Sequence, residues 1–287
     1  MSFSQLARNV IGRKIGKESQ RILIYTSLMA PFVAVLKLLK PSIPVVYMVR
    51  GDEISFVQRH GRRLRARVAL WFQKLLARLG CHFVFVCEDL LALFEERMGK
   101  ITNASVLPNT LGKPVPAVRP FDGRVGLIGH FDSVKNIEWA IQNLSGGRFE
   151  VHLFGNYTYP EEWHRPWLQS HGFVQDLRSQ LRDKCSLVVL SYVDAGFPNV
   201  VLDALEAGCG VVVHDRFPFK YLPVHEAWRF SLASKMLSQQ QEAGMPSDLE
   251  CTLGRLLREK RDFKNDNNVL IELVESDWEQ RVWEILS

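Results

Sequence analysis

The chain has 287 residues, 47% of them hydrophobic and 23% charged, which fills one large domain or two average ones and excludes a disordered tail, a fibre or a small disulfide scaffold. Lysine plus arginine exceed aspartate plus glutamate by 36 − 31 = 5, so where the positive charge sits matters more than its sum. Five cysteines (Cys81, Cys87, Cys185, Cys209, Cys251) include no Cys-x-x-Cys pair, which argues against a zinc knuckle or redox dithiol and for free thiols in a reducing compartment.

The first twenty residues are basic (Arg8, Arg13, Lys14, Lys17), with Leu6, Val10, Ile11 and Ile15 at roughly helical spacing, and hold no apolar signal core with a cleavage site. The uncharged run 22–36 is broken by Pro31 and too short to cross a bilayer, so a soluble cytoplasmic protein is expected. From there short apolar runs alternate with amphipathic ones. Strands are expected over 22–25, 45–49, 83–86 and 104–107, and helices over 32–39, 62–79 and 90–98. Residues 112–120 hold Pro114, Pro116 and Pro120 and read as a linker. The alternation then restarts, with strands over 125–128, 151–154, 187–190 and 211–214, helices over 136–144, 174–182 and 200–206, and a last helix over 270–286. The expected fold class is α/β, with two Rossmann-like domains of parallel sheet flanking a cleft. The domains are placed at 1–113 and 114–268, with a closing helix over 269–287.

Several chemistries are excluded by absence. There is no Gly-x-x-x-x-Gly-Lys-Ser/Thr, no Gly-x-Gly-x-x-Gly opening a first helix, no His-Glu-x-x-His, no Gly-x-Ser-x-Gly and no Asp-x-Asp. The informative stretch is 191–213, Ser-Tyr-Val-Asp-Ala-Gly-Phe-Pro-Asn-Val-Val-Leu-Asp-Ala-Leu-Glu-Ala-Gly-Cys-Gly-Val-Val-Val. A strand ends at Leu190, and a loop with Gly196 and Pro198 leads into a helix near Asn199. The free amides of Asn199, Val200 and Val201 at that helix start favour a phosphate. Asp203 lies one turn on, able to reach ribose hydroxyls.

This stretch resembles the donor-site signature of glycosyltransferase family 4, whose members have the GT-B fold. Gly196, Phe197, Pro198, Asn199, Ala204 and Gly208 match the pattern. The family's first glutamate, which contacts the transferred sugar, falls on Ala195 with Asp194 adjacent, and its second, which holds ribose, falls on Asp203. Upstream, residues 125–136 are similar to the family's strand, glycine loop and lysine that grip the donor pyrophosphate, with Gly129 and Lys135 matching and His130 at the usual arginine. Val106-Leu-Pro-Asn-Thr resembles the segment before the linker, and His171-Gly-Phe-Val174 lies where the family cradles the base. Val49-Arg50-Gly51-Asp52 is similar to a loop after an N-domain strand. There Asp52 or Glu53 would orient an acceptor hydroxyl and Arg50 would bind an anionic acceptor group. The units that precede 21–49 in the family are not found, so the resemblance implies a shortened acceptor domain.

From Ile54 to Val86 there is no acidic residue, yet Arg59, Arg62, Arg63, Arg65, Arg67, Lys74 and Arg78 are present beside an apolar stripe of Leu64, Val68, Trp71, Phe72, Leu75 and Leu79. A solvated basic face and contact with an anionic membrane both fit this pattern. Nucleic acid is disfavoured, since no recognition motif accompanies the charge.

The resemblance implies a transferase moving a sugar from a UDP- or GDP-linked donor to a glycan or lipid-linked acceptor in bacterial surface polysaccharide assembly, with retention and without a metal or other cofactor. It would work at the inner face of the plasma membrane, alone or with a second copy or partner subunit. The rival reading is a non-catalytic GT-B homologue serving as a partner subunit, motivated by Ala195.

Overall fold

The computed structural model describes residues 22–25, 27–59, 61–111, 113–129, 135–144, 147–155, 165–192, 198–216, 219, 222–232 and 248–276. The chain divides into two compact units, Met1–Leu107 and Pro108–Ser287.

In unit 1 the order is β1 (Ile22–Ile24), a 3-10 turn (Ser27–Met29), α1 (Ala30–Leu39), β2 (Val45–Val49), α2 (Glu53–Arg59), α3 (Arg63–Arg78), β3 (His82–Phe85), α4 (Glu88–Met98) and β4 (Ala104–Val106). All four strands are parallel and lie in the order β1-β2-β3-β4. All five residues of β2 are buried, as a central parallel strand requires. Pro31 does not stop α1 but sits in its first turn, where a missing N–H costs nothing. Helix α2 was not expected. It follows the Gly51 bend because Asp52 accepts a hydrogen bond from the Ser55 amide at 3.1 Å, a helix-start contact.

Unit 2 runs through β5 (Arg124–Ile128), α5 (Ile137–Gln142), β6 (Glu150–Phe154), β7 (Leu168–Ser170), α6 (Leu177–Lys184), β8 (Leu187–Leu190), α7 (Asn199–Glu206), β9 (Gly210–His214), β10 (Arg229–Phe230), α8 (Asp248–Glu259), α9 (Phe263–Asp266) and α10 (Asn268–Glu275). Its six parallel strands lie in the order β10-β9-β8-β5-β6-β7. The chain starts in the middle, steps outward to β7, returns to β8 beside β5 and steps outward on the other side. That reversal defines a topological switch point between the carboxyl ends of β5 and β8, the place where ligands bind in such sheets.

The proline-containing segment is not a free linker. The division at 107/108 precedes the expected 113/114, because the segment is strapped onto unit 2. Leu111 N–H donates to Val274 O at 2.7 Å, and Val115 N–H to Glu275 Oε1 at 2.7 Å. Arg119 donates to the carbonyls of Leu181, Arg182 and Cys185 at the end of α6 and of Ala207 and Gly208 after α7. A guanidinium there satisfies orphan carbonyls and opposes two helix dipoles at once. In α10 Leu270, Ile271 and Val274 are buried, and residues 277–287 of the expected closing helix lie outside the described residues. Cys81, Cys185 and Cys209 are buried free thiols, each with its pKa pushed up chiefly by burial. Among the described residues no helix is long and apolar enough to cross a membrane.

Candidate functional site

The residues that line the switch point come from the ends of β5 and β8. Gly129 follows β5 with φ +146°, backbone that L side chains rarely adopt. A Cβ there would stand 2.9 Å from Lys135 Cγ, so the glycine is what lets the lysine stem cross the end of the strand. Lys135 stands just ahead of α5, next to Asn136, which takes the left-handed conformation at φ +52° that asparagine tolerates better than most residues. From the other side Ser191 Oγ donates to the Lys135 carbonyl at 2.8 Å. The ammonium rests 3.8 Å from the centroid of the Tyr192 ring, a cation–π contact. Tyr192 is 1% exposed, and its hydroxyl donates to Ile128 O at 2.6 Å, tying the end of β8 to the end of β5.

A second layer holds Tyr192. His214, at the end of β9 and fully buried, meets Tyr192 O through Nε2 at 2.5 Å and accepts the Arg216 amide at Nδ1 at 3.2 Å. Those two partners require the neutral Nε2–H tautomer. Burial, aided by Arg229 and Arg216 and opposed by the Tyr192 carbonyl and Asp215, lowers the His214 pKa to about 4. His214 is thus packed, not solvent-facing, and serves the site from beneath.

Helix α7 starts after β8 with Pro198 at its cap and no side-chain cap hydrogen bond, so the amides at its very start are those of Asn199 and Val200, whereas the Val201 amide, expected to be free, donates to Pro198 O at 2.9 Å. Asn199 is exposed, and its Oδ1 accepts from Asn109 Nδ2 at 2.7 Å, which brings the segment after β4 onto this helix start. Asp203 is one turn on. Its carboxylate accepts from Arg178 Nε on α6 at 2.8 Å, and Arg178 Nη1 also reaches Glu206 Oε2 at 2.6 Å. The expected ribose carboxylate is thereby fixed in direction by an arginine that the sequence did not single out. Val174 is half-buried beyond β7, after Gly172 at φ +64° and beside Phe173, which is 75% exposed. His130, Asp194, Gly196 and Phe197 lie outside the described residues.

The expected acceptor-side residues are placed differently. Asp52, expected to orient an acceptor hydroxyl, is 8% exposed and spent on structure. Arg97 Nη1 and Nη2 from α4 donate to its two oxygens at 2.6 and 2.8 Å, and it also holds the start of α2. Burial acts to raise its pKa, but Arg97 and Ser55 outweigh that and hold it below the usual carboxylate range. A carboxylate with both oxygens paired to a guanidinium is a poor proton acceptor, so the catalytic assignment of Asp52 is withdrawn. Glu53 Oε2 accepts from the Ser27 amide at 2.9 Å and pins the turn after β1, again a structural duty. Arg50 is exposed at the carboxyl end of β2. Among the described residues no group of three or more His, Cys, Asp and Glu is placed to hold a metal ion.

Residues 122–225, which contain the whole switch-point arrangement, match the family described as Glycosyl transferases group 1. No curated protein matches the chain in sequence. Among solved structures, HepE of Anabaena in complex with UDP is similar with a TM-score of 0.68 and 17% identity, over 92% of this chain and 78% of that one. Sucrose-phosphate synthase of Thermosynechococcus elongatus gives a TM-score of 0.70 and 14% identity over 93% and 72%. The lipopolysaccharide outer core galactosyltransferase WaaB in its apo form gives 0.64 and 11% over 99% and 77%. At such identities the structural likeness shows the fold, which is GT-B. The matched segment adds a likeness of class: residues 122–225 are similar to group 1 glycosyltransferases.

Proposed function

We propose that the chain transfers a sugar from a UDP- or GDP-linked donor to a glycan or lipid-linked acceptor in the assembly of bacterial surface polysaccharide, at the cytoplasmic face of the membrane. The observation that carries the donor half is the lysine held at the switch point of unit 2 by Gly129, Ser191 and Tyr192. An ammonium held on a ring face at the strand ends is placed to exchange that contact for a phosphate. A lysine is a compact point charge suited to that exchange. Charge develops on the diphosphate as the sugar leaves. Lys135 and the first amides of α7 would meet it, so catalysis would come from leaving-group stabilisation and orientation. Asp203, steadied by Arg178, would take the ribose, and Val174 would border the base. Retention of configuration and independence of added metal complete the reading, and activity undiminished by a chelator is expected.

Calorimetric titration with UDP, GDP and uridine is the direct experiment. Lys135→Ala should weaken the diphosphates by roughly ten- to a hundredfold, the range of a charge-assisted contact, and leave uridine almost unchanged. Failure of the wild type to bind either diphosphate would end the donor assignment. The second reading, a non-catalytic partner subunit, is favoured by Ala195 at the position where the family pattern has a sugar-contacting carboxylate. Diphosphate binding with no transfer or hydrolysis of any activated sugar would select it.

A further inference from the structure

A helix on a sheet needs one apolar stripe, facing the sheet. Helix α3 has two. Its inward side is Ala66, Gln73 and Leu76, all buried, with Gln73 Nε2 donating to the Tyr47 hydroxyl at 3.0 Å. Its second stripe, Leu64, Val68 and Trp71 at i, i+4 and i+7, lies on the opposite side and is 76%, 46% and 58% exposed. Helix α1 repeats the arrangement: Ala30, Val33 and Ala34 are buried, whereas Val35, Leu38 and Leu39 are exposed. Strands β1, β2 and β3 lie side by side in chain order, so right-handed crossovers put α1 and α3 on the same face of the sheet, and the two helices pack against each other. Their outward stripes therefore belong to one surface of unit 1.

The charge around that surface has one sign. Arg63, Arg67, Lys74 and Arg78 fall at i, i+4, i+11 and i+15, one residue aside from the apolar stripe, and Arg62 and Arg65 are exposed as well. No aspartate or glutamate occurs from Ile54 to Val86 to neutralise them. A basic face kept only for solubility gains nothing from an exposed tryptophan and three exposed leucines, which cost free energy in water. Apolar side chains beside a row of cations match the two layers of an anionic bilayer, acyl boundary and headgroup phosphate. Tryptophan and long arginine stems are suited to bridging those layers.

We infer that the outer face of α1 and α3 is a docking surface for an anionic lipid bilayer, into which Leu64, Val68, Trp71, Val35, Leu38 and Leu39 insert while the arginines of α3 hold headgroup phosphates. This deepens the proposed function by naming where unit 1 meets the membrane, and it rests on that reading only for its benefit to a lipid-linked acceptor. Its own grounds are exposure and charge.

The test is co-sedimentation of the full chain with vesicles of phosphatidylcholine, alone or mixed with phosphatidylglycerol. The wild type should bind the mixed vesicles, bind phosphatidylcholine weakly, and lose binding as salt rises. Arg63→Gln with Arg67→Gln should lower partitioning to mixed vesicles roughly thirtyfold at low salt. Leu64→Ser, Val68→Ser and Trp71→Ser together should lower it about tenfold or more. Both variants should keep the wild-type circular dichroism spectrum and denaturant midpoint, which shows that unit 1 is folded in them. The inference is overturned if the wild type ignores phosphatidylglycerol or if the variants bind as it does. It is equally overturned if the wild type is a dimer without lipid that the triple variant makes monomeric, since a second copy would then own the surface. Vesicle binding without UDP binding would remove the donor assignment and leave this surface standing.

Discussion

The two units are built from the same alternation of strand and helix, yet only one of them has a topological switch point. In unit 1 the strands follow one another across the sheet in chain order, so every crossover turns the same way and no two neighbouring connections diverge. In unit 2 the chain leaves β5 in one direction and returns to β8 in the other, so the connections part and leave room at the strand ends. The contrast extends to charge. Unit 2 places one lysine within a set of hydrogen bonds and a ring contact, whereas unit 1 spreads six exposed or half-exposed cations along a single helix and its start. Positioned charge suits recognition of one group on one ligand, and distributed charge suits a surface.

The comparison breaks most sharply at Asp52. If its carboxylate is structural, Arg97→Ala leaves a buried, unpaired charge and should destabilise unit 1 by about 3 kcal/mol, read as a lower denaturant midpoint, with UDP affinity in unit 2 unchanged. An Asp52→Asn protein that keeps the wild-type melting curve but loses transfer would restore a chemical role in unit 1.

The next largest effect concerns acid. His214 is neutral in the folded protein with a pKa of about 4, against an ordinary 6.5, so the unfolded chain binds the proton more readily. Stability from this group is complete above pH 6.5 and is lost as pH falls from there towards 4. The loss at pH 4.5 should be roughly 2–3 kcal/mol relative to pH 7.5, measured from urea midpoints. His214→Gln keeps a donor for Tyr192 O and should flatten that slope. An unchanged slope would mean that other buried groups carry it. His152 and His171, stacked with ring centroids 5.2 Å apart, are the alternatives, since burial lowers both.

Much of unit 2 was legible because its signals are local. β8 (Leu187–Leu190) is an uninterrupted apolar run, and the start of α7 is marked by Pro198. Gly129 and Lys135 stand in one short motif. What escaped depends on partners distant in sequence. Asp52 looks like free chemistry until Arg97, 45 residues on, is seen to occupy it. The prolines of 112–120 signal a linker, and nothing nearby says that Arg119 will reach the ends of α6 and α7, up to 89 residues away. Tyr192 has no motif of its own, and its value comes from the Ile128 carbonyl and the lysine it supports. Strand β7 has one buried residue in three and so no alternation to read. Helix α8 has Leu249, Leu253 and Leu256 at helical spacing, a signal interrupted by Gly254.

The finest test of the switch point is Tyr192→Phe, because it separates the two things that ring does. The hydroxyl ties β8 to β5 through Ile128 O, and its loss leaves a buried carbonyl short of a partner, at a cost of about 1–2 kcal/mol in unit 2 stability. The ring face on which Lys135 rests is kept, so UDP affinity should change by less than about threefold if the cation–π contact is what parks the lysine. Thermal melting and UDP titration of one preparation report the two effects separately. A variant that melts like wild type but binds UDP tenfold more weakly would put the phenol itself in contact with the donor. Tyr192 would then belong to the binding surface and not to its support.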